Sequence, residues 1–276
     1  MDLSHPPLVS IIIPCYNQGD TLPLTLDSVL QQSYLDWECI IMDDGSSDNS
    51  NIIAQKYTEK DKRFHYYYQN NQGLAQTRNN AIKKSHGEFI LPLDSDDLIH
   101  KDYIRIAIEE FKKREKVKIV YCKAEYFGAK TGEWKLPEFT WKSFLVSNCI
   151  FCSALYRRND YNQTNGYNPN MKYGYEDWDF WLSLLESGGE VYRIPQILFY
   201  YRRKKESMSK DMGKDTLKIQ EAHQTILRNH PALYHFHYVD LYNQYQDIIH
   251  SRWFVFFKYG RIVSKTMKKL WNRTYL

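Results

Sequence analysis

The first half of the chain alternates short apolar runs with segments whose apolar residues recur at helical spacing. Five apolar runs predict buried strands, at Leu8–Ile13, Cys39–Met42, Phe64–Tyr68, Glu88–Leu93 and Val117–Cys122. Helical patterns lie between them, at Thr21–Gln32, Gly73–Lys84 and Asp102–Arg114, with another helix starting after the polar turn Asp43–Asp48. This alternation predicts an α/β fold with a mostly parallel central sheet covered on both faces.

The second half has a different pattern. The stretch from Lys123 to Tyr173 is irregular and aromatic, and a helix is predicted to open at Tyr175. From about Asp211 the strand–helix alternation stops and helical spacing takes over. We therefore expect one α/β domain over residues 1–210 and a helical extension, rich in basic and aromatic residues, over residues 211–276.

Composition and charge exclude several classes of protein. The 276 residues carry a net charge of +4 and no zinc-finger, RNP or helix-turn-helix pattern, so no nucleic-acid partner is expected. The N-terminus lacks the basic and apolar regions of a signal peptide, and no run reaches the roughly 18 apolar residues of a membrane span. We expect a cytoplasmic protein whose five cysteines are reduced, and treat Cys149-x-x-Cys152 as buried thiols rather than a zinc or redox site.

Two acidic clusters directly follow predicted strands. Asp43-Asp44 ends the second strand, and Asp94-Ser95-Asp96-Asp97 ends the fourth. Ligands of parallel sheets bind beyond the carboxyl ends of the strands, so both clusters are expected at one edge. Three carboxylates within four residues favour a neutralising Mg²⁺ or Mn²⁺, with substrate phosphates completing the coordination. A solvated, helix-capping loop is the alternative interpretation of the second cluster, and a simple turn is the alternative for the first.

Two later segments are also candidates for chemistry. Glu176 and Asp177 open a helix beside tryptophans, where a carboxylate suits a general base, although acidic residues also favour helix starts for electrostatic reasons. The run Tyr200–Ser209, after a predicted strand, contains Arg202, Lys204 and Ser207. Its cations and hydroxyls suit a leaving diphosphate, or else form a solvated loop.

Taken together, the motifs resemble those of family 2 glycosyltransferases, which have the GT-A fold. The resemblance runs from about Val9 to Ser209. It rests on five motifs in order, which are Val9–Asn17, Asp43–Asp48, Asn71–Ala75 with Arg78-Asn79, Leu93–Asp97, and Glu176-Asp177. The sequence has no dinucleotide-binding or P-loop glycine motif, so if a nucleotide binds, it is held in another way.

The resemblance implies an inverting transfer of a sugar from a nucleoside-diphosphate donor, expected to be a UDP-sugar, to a glycan or polyprenyl-linked acceptor in cell-surface polysaccharide synthesis. Asp177 matches the catalytic base and Glu176 a neighbour that orients substrate. Asp96 matches the metal ligand, and Asp94 contacts the metal or the ribose. The remaining residues expected at the nucleotide-sugar site are Pro14, Tyr16, Asn17, Asp43, Asp44, Arg78, Ser95, Arg202, Lys204 and Ser207.

One position departs from the family pattern. Many relatives carry a metal-binding His where this chain has Lys204. A protonated lysine has no lone pair to donate, so this loop is not expected to supply a metal ligand. Lys204 and Arg202 are instead candidates to neutralise the diphosphate.

Two other functions stay open from the sequence. A sugar-phosphate nucleotidyltransferase would be expected to carry a charged, glycine-rich loop after the first strand, and Pro14–Gly19 has no such charge. A nucleotide- or glycan-binding protein without turnover would have no use for a base at Asp177.

The C-terminal residues suggest contact with a membrane surface. Trp253–Tyr259 is aromatic and is followed by Arg261, Lys265, Lys268, Lys269 and Arg273. Aromatic residues beside many cations are typical of a helix lying on an anionic membrane. We expect peripheral contact through residues 250–273 at the inner face of the cell membrane, with plain packing on the α/β domain as the alternative.

Overall fold

The computed structural model describes residues 9–204 and 215–251. The first half follows the predicted alternation, with β1 to β4 within two residues of their expected bounds and a short additional strand, β5, that was not predicted. The elements are β1 (Val9–Cys15), α1 (Leu22–Leu30), β2 (Trp37–Asp43), α2 (Ser50–Lys60), β3 (Phe64–Tyr68), α3 (Leu74–Lys84), β4 (Phe89–Pro92), β5 (Leu98–Ile99) and α4 (Tyr103–Lys113). Helix α4 shows why the pattern works, because Ile104, Ala107, Ile108 and Phe111 line its buried face.

The second half continues the same sheet. Its elements are β6 (Val117–Gly128), β7 (Gly132–Trp134), α5 (Trp141–Phe144), β8 (Leu155–Arg157), α6 (Arg158–Tyr161), α7 (Glu176–Leu185) and β9 (Glu190–Arg203). Within the described residues, the strands form one sheet in the order β3-β2-β1-β4-β8-β6-β9-β5, with β7 paired to β6. Strands β1 to β4, β6 and β9 run in one direction, whereas β5, β7 and β8 run against them. The predicted α/β class with a mostly parallel sheet is confirmed.

Two expectations about the second half need correction. The segment Lys123–Tyr173 is more regular than its sequence indicates, because it contains the end of β6 together with β7, β8 and two short helices. These elements have only three or four residues each, too few to show a period. Tyr200–Arg203 also belongs to β9 itself and not to a loop after it.

The centre of the sheet brings the acidic clusters together. Every residue of β1, β2 and β4 is buried. β1 pairs in parallel with β2 on one side and with β4 on the other. The carboxyl ends of β2 and β4 therefore open at the same edge, so the loops containing Asp43-Asp44 and Asp94–Asp97 flank the end of β1. Thr25 of α1 supports this edge by donating a hydrogen bond of 2.9 Å to the Asp97 carbonyl.

Three helices complete the described chain, namely α8 (Thr216–Asn229), α9 (Pro231–Phe236) and α10 (Tyr238–His250). They pack on the α/β domain through polar contacts as well as apolar ones. His230 lies between Asp179, at 3.1 Å, and Glu186, at 2.9 Å. Tyr234 donates a hydrogen bond of 2.8 Å to the Leu145 carbonyl. Among residues 9–204 and 215–251, no helix combines the length and apolar character that a bilayer crossing needs.

Candidate active site

The loop after β4 presents two carboxylates and buries a third. Leu93 is anchored to β1 by a hydrogen bond from its N–H to the Ile12 carbonyl. The side chains of Asp94 and Asp96 are 28% and 25% exposed, so both are accessible to a ligand. Asp97 is fully buried. Ser95 is also buried. Its carbonyl accepts a hydrogen bond of 3.1 Å from the Thr21 hydroxyl.

Arg78 connects the acidic loop after β4 with the acidic start of α7. This side chain on α3 is 1% exposed and donates to Asp94 at 2.7 Å and to Glu176 at 2.6 Å. Burial lowers the pKa of Arg78, but Asp94 and Glu176 more than offset it, so the net pKa is well above the ordinary value. A buried guanidinium between two carboxylates is a rigid connection, because removing it would leave both charges poorly compensated. Arg78 therefore fixes α7 relative to the loop after β4.

Asp177 has a raised pKa that would suit a general base at neutral pH. Burial raises its pKa to about 7, with Glu176 adding to the rise and Arg78 opposing it. One carboxylate oxygen accepts the N–H of Trp178 at 2.8 Å, and the other accepts the side-chain amide of Asn148 at 3.1 Å. A base with a pKa near the working pH is the most effective kind.

The backbone at the start of α7 is strained. Tyr175, the residue before Glu176, has φ of 63°, in the left-handed region that bulky residues rarely adopt. Its ring packs edge-on against Trp178 with centroids 5.5 Å apart, and against His223 at 5.6 Å. This packing holds an unfavourable backbone next to the candidate base, a combination typical of functional sites.

The end of β9 lies against the acidic loop. Arg202 donates its backbone N–H to Asp97 at 2.7 Å and its Nε–H to the Asp96 carbonyl at 2.7 Å. Lys204 places its ammonium 2.8 Å from the Asp96 carboxylate and 2.8 Å from Gln18 Oε1. Arg202 is thus bound to the loop, and Lys204 is paired with Asp96, the residue expected from the sequence to bind the metal.

The buried Asp97 and the half-buried Cys152 both lie close to Asp94. Burial, followed by the charges of Asp96 and Asp94, raises the pKa of Asp97 well above its ordinary value. Cys152 donates its S–H to Asp94 over 3.3 Å, and burial raises the pKa of this thiol. One oxygen each from Asp94 and Asp97 lies within 4.8 Å of Cys152 Sγ, a spacing compatible with a metal ion.

The donor chemistry of the loop fits a hard divalent cation. Asp94 and Asp96 offer accessible carboxylate oxygens, the ligands that Mg²⁺ and Mn²⁺ prefer. Asp97 is fully buried and has one oxygen without a hydrogen-bond partner. Asp94 and Asp96 are therefore better placed than Asp97 to share a cation with an incoming diphosphate.

The opposite side of the edge is preorganised by Asp43 and Asp44. Asp43 accepts the N–H of Ser46 and the hydroxyl of Tyr66, each at 2.8 Å. Asp44 accepts Gln69 and the N–H of Gln72 on one oxygen, and the N–H of Gly73 at 2.9 Å on the other. Both carboxylates are almost fully buried, and they shape the loops. An ionised carboxylate has about four acceptor sites, so Oδ2 of Asp44 keeps capacity for a ligand donor.

The loop after β1 is tied to the loop after β2. Asn17 has φ of 52°, donates its N–H to Ser46 and accepts the Ser47 N–H at 2.8 Å. Tyr16 is 51% exposed, whereas Pro14 is buried inside β1. The Tyr16 ring is thus accessible to a ligand, whereas the Pro14 ring is not. Ser207 lies outside the described residues.

Several contacts at the site have no signal in the sequence. Asn148 reaches Asp177 from 29 residues away, Cys152 reaches Asp94 from 58, and Gln18 reaches Lys204 from 186. Each pairing depends on the folded position of an irregular segment. The sequence around Cys152 shows an aromatic stretch, and this pattern does not indicate an acidic neighbour.

Comparison with known proteins identifies the class. Residues 10–178 match the family model described as Glycosyl transferase family 2. TuaG of Bacillus subtilis, a glycosyltransferase named for teichuronic acid biosynthesis, is 33% identical over 81% of this chain and 90% of its own length. The chain therefore belongs to glycosyl transferase family 2, as the sequence motifs indicated. The chondroitin synthase of Escherichia coli is 29% identical over 67% of this chain, which spans only 28% of that protein.

Solved structures share the fold. TarS residues 1–349 of S. aureus, in complex with UDP-GlcNAc, superpose with a TM-score of 0.60 at 21% identity, covering 73% of this chain and 60% of that one. The mannosyltransferase PcManGT of Pyrobaculum calidifontis, in complex with GDP-Man and Mn²⁺, gives a TM-score of 0.59 at 14% identity and covers 98% of this chain and 88% of that one. At these identities the likeness establishes the GT-A type fold alone.

Proposed function

We propose that this glycosyltransferase moves a sugar from a nucleoside-diphosphate donor, a UDP-sugar, to a hydroxyl of a glycan or lipid-linked acceptor, with inversion at the anomeric carbon. The observation that carries the proposal is the placement of Asp177 in the first turn of α7, where Asn148 and the Trp178 N–H hold its carboxylate and burial raises its pKa to about 7. Arg78 links its neighbour Glu176 to Asp94 on the donor side. A binding protein needs no base of matched pKa beside its ligand.

The reaction follows from this arrangement as a single displacement. Asp177 accepts the proton of the acceptor hydroxyl as that oxygen forms a bond to C1 of the donor sugar. The bond between C1 and the phosphate oxygen breaks, and its electron pair leaves with the nucleoside diphosphate. Glu176 is held by Arg78 at 2.6 Å and orients the acceptor, while Asn148 keeps the Asp177 carboxylate in place.

The donor is proposed to bind across the carboxyl edge of the sheet. The exposed ring of Tyr16 covers the base, and Asp44 accepts a ring N–H on its remaining lone pair. A Mn²⁺ or Mg²⁺ ion held by Asp96 and Asp94 would supply positive charge to the leaving diphosphate. The complexes of TarS with UDP-GlcNAc and of PcManGT with GDP-Man and Mn²⁺ support this class of donor and metal.

A role in cell-surface polysaccharide synthesis is part of the proposal. The name of TuaG, which refers to teichuronic acid biosynthesis, and the chondroitin synthase of Escherichia coli support it. Both names concern polymers of sugars, so a growing glycan or its lipid carrier is the acceptor class to be tested.

Release of UDP tests the transferase directly. The purified chain is incubated with a panel of UDP-sugars and Mn²⁺, with and without glycan acceptors, and free UDP is measured. We expect one donor to release UDP, and Asp96→Ala to remove the response to Mn²⁺. Asp247→Ala, an exposed acidic residue on α10, is the matched control and should behave as the wild type. Binding of UDP-sugars without any release would favour a binding protein instead.

We further propose that the C-terminal helices contact a lipid surface. Helix α10 exposes Tyr238, Tyr242, Tyr245 and Ile248, each at least half exposed. These residues recur at helical spacing, and tyrosine suits the boundary between lipid and water. The aromatic run Trp253–Tyr259 and the basic residues between 261 and 273, which together prompted the membrane hypothesis, lie outside the described residues.

Liposome flotation tests this surface. The wild type should float with vesicles containing an anionic lipid, and a Tyr242→Ser/Tyr245→Ser/Ile248→Ser variant should float less. A triple variant of exposed residues elsewhere, Ile52→Ser/Gln55→Ser/Lys56→Ser on α2, is the control. Equal flotation of all three proteins would exclude α10 as the lipid-binding surface.

A further inference from the structure

The two accessible carboxylates of the acidic loop are neutralised by cations of very different mobility. Arg78 on Asp94 is 1% exposed and is also bound to Glu176. Lys204 on Asp96 is 32% exposed and follows the last residue of β9. A buried guanidinium holding two carboxylates stays in place, whereas a lysine has a flexible four-carbon stem ending in a compact charge. Lys204 is therefore the exchangeable cation of the pair.

The backbone next to Lys204 is anchored by Arg202, while the Lys204 ammonium itself contacts Asp96 and Gln18, each at 2.8 Å. Arg202 is fixed by two hydrogen bonds, from its N–H to Asp97 and from its Nε–H to the Asp96 carbonyl. Its guanidinium also lies 4.3 Å from the centre of the Phe127 ring. The backbone two residues before Lys204 is thus anchored to the loop, so the lysine can turn without leaving the site.

A metal ion and the Lys204 ammonium compete for Asp96. The ammonium lies 2.8 Å from Asp96 Oδ2, the distance of a direct charge-assisted hydrogen bond. An ammonium has no lone pair, so it cannot join a metal's coordination shell and its charge repels the ion. Metal binding through Oδ2 of Asp96 therefore requires Lys204 to move away.

We propose that Lys204 is an exchangeable counter-cation for Asp96, which the metal displaces and which then binds the diphosphate of the donor. The inference rests on the proposed transferase function. Before the donor arrives, Lys204 neutralises Asp96 and opposes binding of free metal. When metal and donor enter together, the displaced ammonium gains a diphosphate oxygen as its new partner. Metal and nucleoside diphosphate thus bind with positive coupling through one side chain.

Metal binding without nucleotide tests the first half. The Mn²⁺ dissociation constant is measured by electron paramagnetic resonance for the wild type, Lys204→Met, and Lys56→Met, an exposed lysine on α2 that controls for net charge. Loss of a partly exposed ion pair changes an affinity by a few-fold, and the removed repulsion of the metal ion adds to this change. We expect Lys204→Met to bind Mn²⁺ about 3- to 10-fold more tightly than the other two proteins.

Binding of UDP tests the second half. In saturating Mn²⁺, calorimetric titration should show UDP binding about tenfold more weakly to Lys204→Met, because a charge-assisted contact with the diphosphate is lost. Opposite changes for metal alone and for UDP distinguish exchange from general damage to the site, which would weaken both. Circular dichroism verifies folding, and Lys204→Gln replaces Lys204→Met if the methionine variant does not fold.

An Mn²⁺ affinity of Lys204→Met equal to or weaker than that of the wild type would overturn the exchange. So would unchanged UDP binding in this variant. Neither measurement requires sugar transfer. A protein that shows both shifts but releases no UDP from any donor would retain the exchange and lose the proposed function, so the two failures are separable.

Discussion

Replacing Asp177 by asparagine should make the protein slower and more stable at the same time. In the folded chain the pKa of Asp177 is raised from 3.8 to about 7. The folded state therefore holds the proton more tightly than the unfolded chain does. The resulting cost to stability is absent below the unfolded pKa, grows as pH rises above about 4, and is complete above about 7.

The structure sets the size of this effect. A rise from 3.8 to about 7 corresponds to an upper limit of roughly 4 kcal/mol at 1.36 kcal/mol per pKa unit. Asp177 is only half-buried, and water screening reduces the realised cost to about 2 kcal/mol. The new side-chain amide would also present a donor to the amide of Asn148, losing about 1 kcal/mol of hydrogen bonding. We expect Asp177→Asn to be more stable than the wild type by about 1 kcal/mol at pH 8, and about as stable as the wild type at pH 5, where less than half of the ionisation cost is present.

Urea unfolding at pH 5 and pH 8 measures the stability, and UDP release measures the rate. Removal of a general base should lower turnover about 10²- to 10⁴-fold, with donor affinity nearly unchanged. Wild-type turnover should rise with pH through about 7, where Asp177 loses its proton. The exposed Asp247→Asn is the control and should change neither quantity. An Asp177→Asn variant that is less stable than the wild type at pH 8 would refute the raised pKa. A variant that turns over at the wild-type rate would refute the role of Asp177 as the base.

Three further substitutions probe the supports of the site. Arg78→Met should lower the free energy of unfolding by about 3–5 kcal/mol, because Asp94 and Glu176 lose their buried cation. Urea unfolding measures this change. A decrease as small as that of the exposed Lys56→Met would contradict the prediction. For His230, burial lowers the pKa but the hydrogen bonds with Asp179 and Glu186 more than offset it, so the net pKa is raised. The protonated His230 therefore stabilises the fold below its unfolded pKa, and this contribution is lost as pH rises through the folded pKa. The melting temperature of the wild type should fall towards alkaline pH, and His230→Gln should make this fall smaller. The exposed His235→Gln is the control and should leave the fall unchanged. Gly45→Ala should lower both the affinity for UDP and the stability, because φ at this position is +82° and the added Cβ would lie 3.1 Å from the Asn71 N–H. Calorimetric titration with UDP measures the affinity. An affinity equal to that of the wild type would argue against a role of this turn in the donor site.

The sequence predicted the regular part of the fold because its elements are long and periodic. The strands β1, β2 and β4 read as apolar runs since they are buried on both faces. The expectation that both acidic clusters lie at one sheet edge followed from the direction of parallel strands alone. Strand β8 was not predicted, because its three residues, Leu155–Arg157, carry no period.

The electrostatic character of the site could not be predicted in the same way. The pKa of Asp177 depends on burial and on Glu176 and Arg78, and Arg78 is 98 residues from Glu176 in the chain. The pairing of Lys204 with Asp96 likewise depends on β9 ending beside the loop after β4. The departure at Lys204 from the family pattern was visible in the sequence, but its partner became clear only from the fold.

The configuration of the released sugar tests the central claim most directly. The chain is incubated at high concentration with the donor that it accepts, and the anomeric proton of the first-formed product is followed by nuclear magnetic resonance before mutarotation. A single displacement assisted by Asp177 predicts a product of opposite anomeric configuration to the donor, formed about 10²- to 10⁴-fold more slowly by Asp177→Asn. A product that keeps the donor's configuration, or that forms equally fast without Asp177, would contradict the account.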